Sequence, residues 1–422
     1  MPTLRDASVP SVLMGHAGAG LERVDIGIDN GRIASITPHE PGPGQDVDGG
    51  LVLPAFADIH THIDKGHIWP RKPNPDGSFM GALDAVEHDR EAKWSAADVR
   101  RRMEFALRCA HAHGTAALRT HIDSIAPQDE ISWPVFAELR ERWRGRMELQ
   151  AVSLVGPDVM LDREALRRVA AITKAHDGIL GGAIASHPET AQAMRNVIET
   201  ASEFGLDLDL HCDETLDPTS RALFDLATAV IDTGYRGRVL AGHCCALSAQ
   251  DEVLQNETIS RVARAGIAVV SLPMCNMYLQ DRDASRRSTP VRRGVTLLRE
   301  LAVAGVPVAV ASDNTRDPFY AYGDLDPLEV FREGTRILHL DHPQDEAWSW
   351  VRAVTTSAAA IAGFAHTAQV VPGASADLVL FRARDWTELL SRPQSDRMVL
   401  RAGAPIDTTL PDYRELDDLM EA

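Results

Sequence analysis

Cysteine is scarce in this chain, and its spacing excludes the folds that depend on it. The 422 residues contain five cysteines, and none of them forms a Cys-x-x-Cys pair. Neither a disulfide framework nor a closed cysteine cage for structural zinc is therefore expected. We expect a protein of a reducing compartment, the cytoplasm, that is stabilised by its apolar core.

Long apolar runs and basic clusters are also missing. No apolar stretch approaches the ~20 residues that a helix needs to cross a bilayer, and residues 1–14 lack a basic segment followed by an apolar one. Acidic residues outnumber basic residues by 61 to 43, which gives a net charge of −18. A field of that sign repels polyphosphate and anionic lipid. Nucleic acid and membranes are therefore poor partners, and a small molecule is the expected one.

Both ends of the chain have the pattern of short strands. Residues 24–28 and 32–36 are apolar runs on either side of an Asn-Gly pair, which is typical of a β-hairpin. Residues 374–381 and 398–402 near the other end also resemble strands. We predict that the two ends pair to build one small β-sandwich domain.

The middle of the chain alternates apolar runs with amphipathic segments. The predicted domains are residues 1–55 (small β domain), 56–363 (catalytic domain) and 364–422 (small β domain and tail). The eight predicted strands are residues 51–60, 116–122, 149–155, 182–186, 206–211, 238–243, 267–272 and 306–312. The predicted helices between them include residues 96–113, 162–175, 189–204, 220–233 and 289–304. Eight β-then-α units over about 300 residues indicate an α/β fold of the (β/α)8 TIM barrel type. A doubly wound open sheet is the alternative.

Histidines and a carboxylate stand where the predicted strands end. Alternate residues of a strand face the same side, so His60 and His62 can point together and bind one ion. His211 and His243 end two further strands, and Asp313 follows the last one. Taken singly, each has an ordinary structural explanation; an aspartate at such a position is often a helix N-cap. Together, at the C-terminal ends of parallel strands, they predict an open catalytic site for one divalent ion, zinc or iron.

Six segments carry a resemblance to a known family. They are HTHID (60–64), RTHID (119–123), HCDE (211–214), GHC (242–244), NMYLQDR (276–282) and SDNTRDPFYAYG (312–323). With them the chain resembles the amidohydrolase superfamily over almost its whole length, and within it the cytosine deaminase branch. The fold that this resemblance implies is the same TIM barrel.

The resemblance also implies a role for each matching residue. The implied ligands of one divalent ion are His60, His62, His211 and Asp313. Glu214 is the implied proton shuttle, and His243 and Asp313 are implied acid–base partners. Residues 181–187 lack the lysine or glutamate with which binuclear members bridge two metals, so a single ion is expected. The implied chemistry is consistent: a bound ion activates water, and Glu214 can protonate a ring nitrogen.

Other positions depart from the cytosine deaminase pattern and bear on the substrate. Gly156 stands near the place where that branch uses a glutamine to recognise the pyrimidine, and Asn314 replaces a second acid. Lys65 either binds a ring carbonyl or forms a loop salt bridge, and His187 is either a pocket residue or a hydrogen-bonded loop residue. His121 either supports the site or packs in the core. The aromatic residues Trp69, Phe79, Phe319 and Tyr320 either sandwich a flat ring or cap the barrel mouth.

The sequence therefore predicts an enzyme that hydrolyses C–N bonds other than peptide bonds. Its expected reaction is removal of the amino group from a nitrogen heterocycle, such as cytosine, isocytosine, a pterin-like ring or an aminotriazine, with release of ammonia. One alternative is hydrolysis of an N-alkylaminotriazine or a cyclic amide within the same superfamily. Another is an inactive barrel that acts as a binding or scaffold module. The fold often presents helices to symmetric partners, so a homo-oligomer is compatible with it.

Overall fold

Strands and helices alternate through the centre of the chain, and smaller sheets are formed by its two ends. The computed structural model describes residues 3–18, 20–282, 288–342 and 347–421. The strands are β1 (Thr3–Pro10), β2 (Leu21–Asp29), β3 (Arg32–Pro38), β4 (Gln45–Asp46), β5 (Val52–Pro54), β6 (Phe56–Thr61), β7 (Thr115–Asp123), β8 (Glu148–Leu154), β9 (Leu180–Ile184), β10 (Leu208–Cys212), β11 (Val239–His243), β12 (Ala268–Ser271), β13 (Val308–Val310), β14 (Leu378–Leu380), β15 (Met398–Arg401) and β16 (Ala404–Pro405).

Most of the longer helices lie between the central strands. The α-helices are α1 (Phe79–Lys93), α2 (Ala96–Ala112), α3 (Asp129–Arg142), α4 (Pro157–Leu161), α5 (Arg163–Ala175), α6 (Thr190–Phe204), α7 (Ala222–Thr233), α8 (Glu252–Ala265), α9 (Pro273–Leu279), α10 (Leu298–Val303), α11 (Pro327–Leu338), α12 (Thr356–Ala362), α13 (Trp386–Ser391) and α14 (Asp417–Met420). Short 3-10 helices span Ser11–Leu13, Cys245–Ala249, Ala347–Val354 and Tyr413–Leu416. Within the described part of the chain, no helix combines the length and the apolar character that a membrane crossing requires.

The eight central strands form two parallel sheets. One sheet has the order β6-β7-β8, and the other has the order β13-β12-β11-β10-β9. Two isolated parallel bridges, Thr61 with Asp313 and Val152 with Ile179, link the sheets at both sides. All nine residues of β7 are buried, as expected for a parallel strand that is covered on both faces. The predicted α/β architecture with parallel strands is confirmed.

Capping residues mark the ends of several helices. Helix α5 begins after Asp162, whose carboxylate accepts hydrogen bonds from the backbone N–H groups of Glu164 and Ala165. Its apolar side, including Leu166 and Val169, is buried against the neighbouring elements. Helix α6 ends at Gly205, which adopts the left-handed conformation with φ of 63°.

Two predicted elements have different boundaries in the structure. The strand predicted over residues 51–60 is two strands, because β5 pairs antiparallel with β14 whereas β6 joins the central sheet. The helix predicted over residues 289–304 is wrong for most of its length, and only α10 is helical there. Pro290 and Gly294, whose φ is 75°, interrupt the helical pattern.

The two ends of the chain form sheets of order β3-β2-β1-β4 and β16-β15-β14-β5. The predicted hairpin is confirmed: Asp29 pairs with Arg32, and both Asn30 and Gly31 have positive φ, as a type I′ turn requires. Strand β5 pairs with β14, although the two strands lie more than 320 residues apart in the chain. One apolar cluster joins both sheets and includes Leu4, Val9, Ile26, Val52, Leu378 and Leu400.

Candidate metal and catalytic site

Four predicted metal ligands converge where β6, β10 and β13 end. The Nε2 atom of His211 lies 3.1 Å from Nε2 of His60 and 3.1 Å from Nε2 of His62. The Asp313 Oδ1 atom lies 3.2 Å from Nε2 of His62 and 3.7 Å from Nε2 of His60. All four side chains are buried. The strands therefore bring together the set of nitrogen and oxygen atoms that the sequence predicts.

The chemistry of this cluster fits a divalent cation. Burial lowers the pKa of the three imidazoles well below its ordinary value, so each ring is neutral and can offer a lone pair. Burial raises the pKa of Asp313 to about 8, and both of its carboxylate oxygens lack a hydrogen-bond partner. His60, His62 and Asp313 have ligand atoms that all lie within 4.8 Å of one another. A bound cation would satisfy these acceptors and is the kind of ligand that such donor sets hold.

The backbone is strained next to this cluster. Asp213, His243, Cys244 and Asp313 have φ values of 54°, 66°, 52° and 65°, a left-handed conformation that non-glycine residues rarely adopt. Such residues cost on the order of 1–3 kcal/mol each and occur preferentially at functional sites. These residues follow or end β10, β11 and β13, which belong to the same sheet as the proposed ligands His211 and Asp313. The strain is therefore consistent with a functional site at this end of the sheet.

A series of buried polar side chains contacts His60 on the side of its Nδ1 atom. Nε2 of His121 lies 3.2 Å from Nδ1 of His60 and 3.7 Å from Oδ1 of Asp209. Arg119 donates to Asp209 Oδ2 at 2.9 Å and to the amide oxygen of Gln150. Sequence reasoning missed Asp209, although its position two residues before His211 places both on one face of β10. Partners of this kind orient a ligating histidine and fix its tautomer.

A second cluster contains two of the three predicted catalytic residues, Glu214 and His243. Oε1 of Glu214 lies 3.3 Å from Nδ1 of His243, and Asn276 Nδ2 lies 2.9 Å from the same Nδ1. Burial raises the pKa of Glu214 well above its ordinary value. Burial lowers the pKa of His243 to about 3, although the hydrogen bond from Asn276 opposes this. The site thus holds a carboxyl whose pKa is raised by burial beside an imidazole that is neutral at pH 7.

Lys65 and Phe319, both predicted to bind substrate, lie together beside this site. The Lys65 Nζ atom lies 5.6 Å from the centre of the Phe319 ring and 2.8 Å from Oδ1 of Asp123. Burial alone would lower the pKa of Lys65, but Asp123 and Asp64 outweigh it, so its pKa is raised. Of the two alternatives predicted for Lys65, the structure shows the salt bridge, which is formed with Asp123.

The remaining predicted substrate contacts have local protein partners. Asn314 Nδ2 donates to Asp317 at 2.7 Å, and His187 Nδ1 accepts from the backbone N–H of Glu189 at 3.1 Å. Trp69 is half-buried in the loop after β6, and Gly156 is the residue before α4. Contacts of these four residues with a substrate stay predictions.

The family of this chain is shown by comparison with known proteins. Residues 106–407 match the model described as the amidohydrolase family. Over 99% of its length, the chain is 55% identical to a pterin deaminase of Rhizobium rhizogenes, of which it covers 97%. The chain belongs to the amidohydrolase family. It is a hydrolase of C–N bonds other than peptide bonds, as the sequence predicts.

Two further similarities are more distant. The chain is 25% identical to the N-isopropylammelide isopropyl amidohydrolase of Pseudomonas sp. (strain ADP), over 85% of this chain and 87% of that protein. The structure of a 5-methylcytosine deaminase from Klebsiella pneumoniae has a TM-score of 0.81 at 23% identity, covering 97% of this chain and 98% of the other. This second likeness shows that the two proteins share a fold.

Proposed function

We propose that this chain is a metal-dependent hydrolytic deaminase that removes the exocyclic amino group of a pterin-like ring and releases ammonia. The observation that carries the proposal is the 55% identity, over nearly the full length of both chains, to a pterin deaminase. A buried cluster of neutral imidazoles and a carboxylate supplies the groups that such a reaction needs, together with Glu214, whose pKa burial raises well above its ordinary value.

We propose one ion, zinc or iron, held by His60, His62, His211 and Asp313. When bound, the ion lowers the pKa of a water molecule and makes it a nucleophile near neutral pH. The distances of 3.1–3.7 Å among the four donor atoms support a shared ligand. The choice between the two metals is tested by reconstituting chelated protein with each of them.

The protein's own residues would then carry the protons. Asp313 receives a proton from the attacking water, because its carboxylate is buried and free of other partners. Glu214 hands its proton to the ring nitrogen next to the amino-bearing carbon, and His243 stabilises the oxygen as charge develops on it. The C–O bond forms, the C–N bond then breaks, and the amino group leaves as ammonia with the proton that Asp313 took from the water. The remaining hydroxyl proton passes to Glu214 as the ring carbonyl forms, so both side chains regain their starting protonation. Lys65, Phe319 and the other predicted substrate contacts would orient the ring, with Gly156 leaving the end of β8 without a side chain.

We also propose a barrel closure, a domain division, a cellular compartment and a test of the oligomeric state. We infer that the two parallel sheets close into a (β/α)8 barrel, which the bridges at Thr61 and Val152 support. We further propose a catalytic domain over residues 56–363, with residues 1–55 and 364–422 forming one β-sandwich domain; the shared apolar cluster supports this. The five cysteines are free and buried, which fits the cytoplasm. A homo-oligomer is compatible with this fold, and light scattering tests it.

The proposal is tested by measuring ammonia release from a panel of pterins, cytosine, isocytosine, guanine and aminotriazines. The protein is reconstituted with zinc or ferrous iron, and chelated protein is the control. Metal-dependent release from pterins above all other rings is the expected result. Release of an alkylamine from N-alkylaminotriazines without release from pterins would overturn the proposed substrate class.

Replacement of the proposed proton donor separates catalysis from metal binding. We expect Glu214→Gln to keep its metal and to lose turnover by about 10²–10⁴-fold, since the amide has no proton to transfer. The control is Glu199→Gln, whose side chain is 47% exposed on α6 and pairs with Arg163. Metal content by elemental analysis and kcat are measured on both. Full turnover in Glu214→Gln would show that another group donates the proton.

A further inference from the structure

Asp213 stands between the proposed metal ligand His211 and the proposed proton donor Glu214, and no role has so far been assigned to it. Its side chain is buried, and its φ of 54° is left-handed. In a regular strand, successive side chains face opposite sides. Continuation of β10 beyond Cys212 would therefore turn residue 213 to the side of His211, and residue 214 to the side of Cys212, which packs in an apolar cluster.

The structure shows the reverse arrangement for residues 213 and 214. Oε1 of Glu214 lies 3.3 Å from Nδ1 of His243, so the Glu214 side chain reaches the site. The carboxylate of Asp213 instead contacts the start of α7. The left-handed conformation at Asp213 thus exchanges the directions of the two side chains, and it is the reason why Glu214 faces His243.

Hydrogen bonds to its side chain hold Asp213 in this conformation. Oδ1 accepts from the hydroxyl group of Ser220 and, at 2.8 Å, from the N–H of Ala222. Oδ2 accepts from the N–H of Leu223 at 2.9 Å. Arg221, the residue before α7, makes no capping hydrogen bond with its side chain, so Asp213 caps this helix from outside it. These bonds offset the cost of a left-handed conformation in a residue other than glycine.

The backbone on both sides of this turn is also hydrogen-bonded. The N–H of Asp213 donates to the backbone oxygen of Ile184 at the end of β9, at 3.1 Å. The backbone oxygen of Asp213 accepts at 3.2 Å from the N–H of Ala246, in the 3-10 helix after β11. The side chain of Gln280 donates to the backbone oxygen of Glu214 at 3.2 Å. The Asp213 carboxylate is therefore the part of the turn that connects it to α7.

We propose that Asp213 is a positioning residue: by capping α7, it holds the left-handed turn that brings the carboxyl group of Glu214 into the site. Asp213 takes up and releases no proton in this role. Without the cap, the turn relaxes and Glu214 moves away from His243. The kinetic consequence rests on the proposed deaminase function, whereas the structural consequence does not.

The kinetic test removes the carboxylate and measures catalysis, substrate binding and metal content separately. We expect Asp213→Ala to lower kcat by about 10–100-fold, since a displacement of about 1 Å at a reacting group has an effect of this size. KM should change by less than about threefold, because the proposed ring contacts are retained. Metal content should stay that of the wild type. Asp213→Asn keeps an acceptor oxygen and tolerates the left-handed conformation, so it should recover part of kcat.

The control variant separates positioning from helix stability. Asp162→Ala removes a cap of the same kind, because the Asp162 carboxylate accepts from the N–H groups of Glu164 and Ala165 at the start of α5. We expect it to lower the melting temperature and to leave kcat unchanged. An equal fall of kcat in Asp162→Ala and Asp213→Ala would overturn the positioning role, because both variants would then act through stability.

The position of Glu214 is measured in crystal structures of the zinc-loaded wild type and of zinc-loaded Asp213→Ala. The distance from Glu214 Oε1 to His243 Nδ1, which is 3.3 Å, should exceed the hydrogen-bond limit of about 3.5 Å in the variant. An unchanged distance would overturn the proposal whatever the kinetics. Loss of metal from Asp213→Ala would also overturn it, because the effect would then act through His211.

A milder variant decides the matter if Asp213→Ala fails to fold. Ser220→Ala removes one of the three hydrogen bonds to the Asp213 side chain. We expect a smaller fall of kcat, about threefold to tenfold, because the two backbone donors still hold the turn. An unchanged kcat in Ser220→Ala would then overturn the proposal.

The outcomes separate this inference from the proposed function. Absence of turnover on every heterocycle, together with a displaced Glu214 in Asp213→Ala, would overturn the deaminase function and leave the positioning role standing. Turnover of pterins by the wild type, together with an unchanged kcat in Asp213→Ala, would overturn the positioning role and leave the deaminase function standing.

Discussion

Gly242 on β11 makes room for one of the proposed metal ligands. A Cβ atom at this position would lie 2.8 Å from Cε1 of His60 and 3.1 Å from its Nδ1. Real Cβ atoms do not approach other atoms that closely, so any side chain here displaces the imidazole. The position of the His60 ring on β6 thus depends on the lack of a side chain at Gly242 on β11.

We expect Gly242→Ala to weaken metal binding by roughly 10–100-fold, the usual effect of disturbing the support of a ligand. The methyl group pushes His60 away from the other donor atoms. Metal content per chain after dialysis, and the dissociation constant, check this. Gly20→Ala is the control, because the nearest atom to its added methyl group lies 4.0 Å away. Unaltered affinity in Gly242→Ala would mean that the cluster is not the metal site.

The residues of the site differ in how far the sequence predicts them. His60, His62, His211 and Asp313 end predicted strands, so the fold rule for parallel strands suffices to expect their meeting. Asn276 and Asp209 give no such signal in isolation. Their importance depends on neighbours that are distant in the chain, such as His243 for Asn276, and only the three-dimensional structure provides those.

At the scale of elements, a buried ion pair connects strands that are not neighbours. Arg119 on β7 donates to Asp209 on β10 at 2.9 Å and to the backbone oxygen of Ala362 at the end of α12. Arg119 lowers the pKa of Asp209, but burial has the larger effect and raises it to about 6. The pair thus crosses the interior between the two parallel sheets.

Removing either Arg119 or Asp209 alone should therefore lower the free energy of unfolding more than replacing both. We expect Arg119→Met to lower the free energy of unfolding by about 3–5 kcal/mol, because it leaves a buried carboxylate without a counter-charge. Addition of Asp209→Asn should restore a large part of that loss. Urea unfolding of the metal-free wild type, the two single variants and the double variant gives the coupling energy. Additive effects would show that the two side chains do not interact.

The positions of helices and strands along the chain can be predicted from the hydrophobic pattern. Which strands pair with each other cannot be predicted in this way when the partners are distant in the sequence. The hairpin of β2 and β3 is predicted by the Asn-Gly pair alone, because its contacts are local. The division of residues 51–60 into β5 and β6 is not, since it results from pairing of β5 with β14 at the other end of the chain. The extent of α10 has a local cause, because Pro290 and Gly294 interrupt the helical pattern before it.

At the scale of the whole molecule, a buried ion pair joins Arg397, near the C-terminus, to Asp326 at the start of α11. Arg397 forms two hydrogen bonds with the carboxylate of Asp326, at 2.7 and 2.6 Å, and a third with the backbone oxygen of His113. Burial alone would raise the pKa of Asp326, but Arg397 outweighs this and the pKa lies below its ordinary value. Its contribution to stability is therefore present above the pKa of an unfolded aspartate, near 3.9, and is lost as the pH falls further.

We expect the wild type to lose stability below about pH 4, because Asp326 takes up a proton there in the unfolded chain and only at lower pH in the folded one. Asp326→Asn should be less stable by about 3–5 kcal/mol at pH 7, and the difference should narrow as the pH falls. Unfolding free energies measured between pH 7 and pH 3 test this. Glu388→Gln, which removes an exposed pair with Arg384, should behave as the wild type does. A difference that is constant with pH would exclude the titration of Asp326 as its cause.

The pairing of β5 with β14 has a consequence for how the protein is made. Residues 52–54 leave the ribosome early, but their partners, residues 378–380, follow 326 positions later. At about 5–20 residues per second, the first strand waits on the order of tens of seconds for its counterpart. During that interval the backbone N–H and C=O groups of residues 52–54 lack these partners. Completion of this small sheet is thus a late event in biosynthesis, after the ligand-bearing strands have all been synthesised.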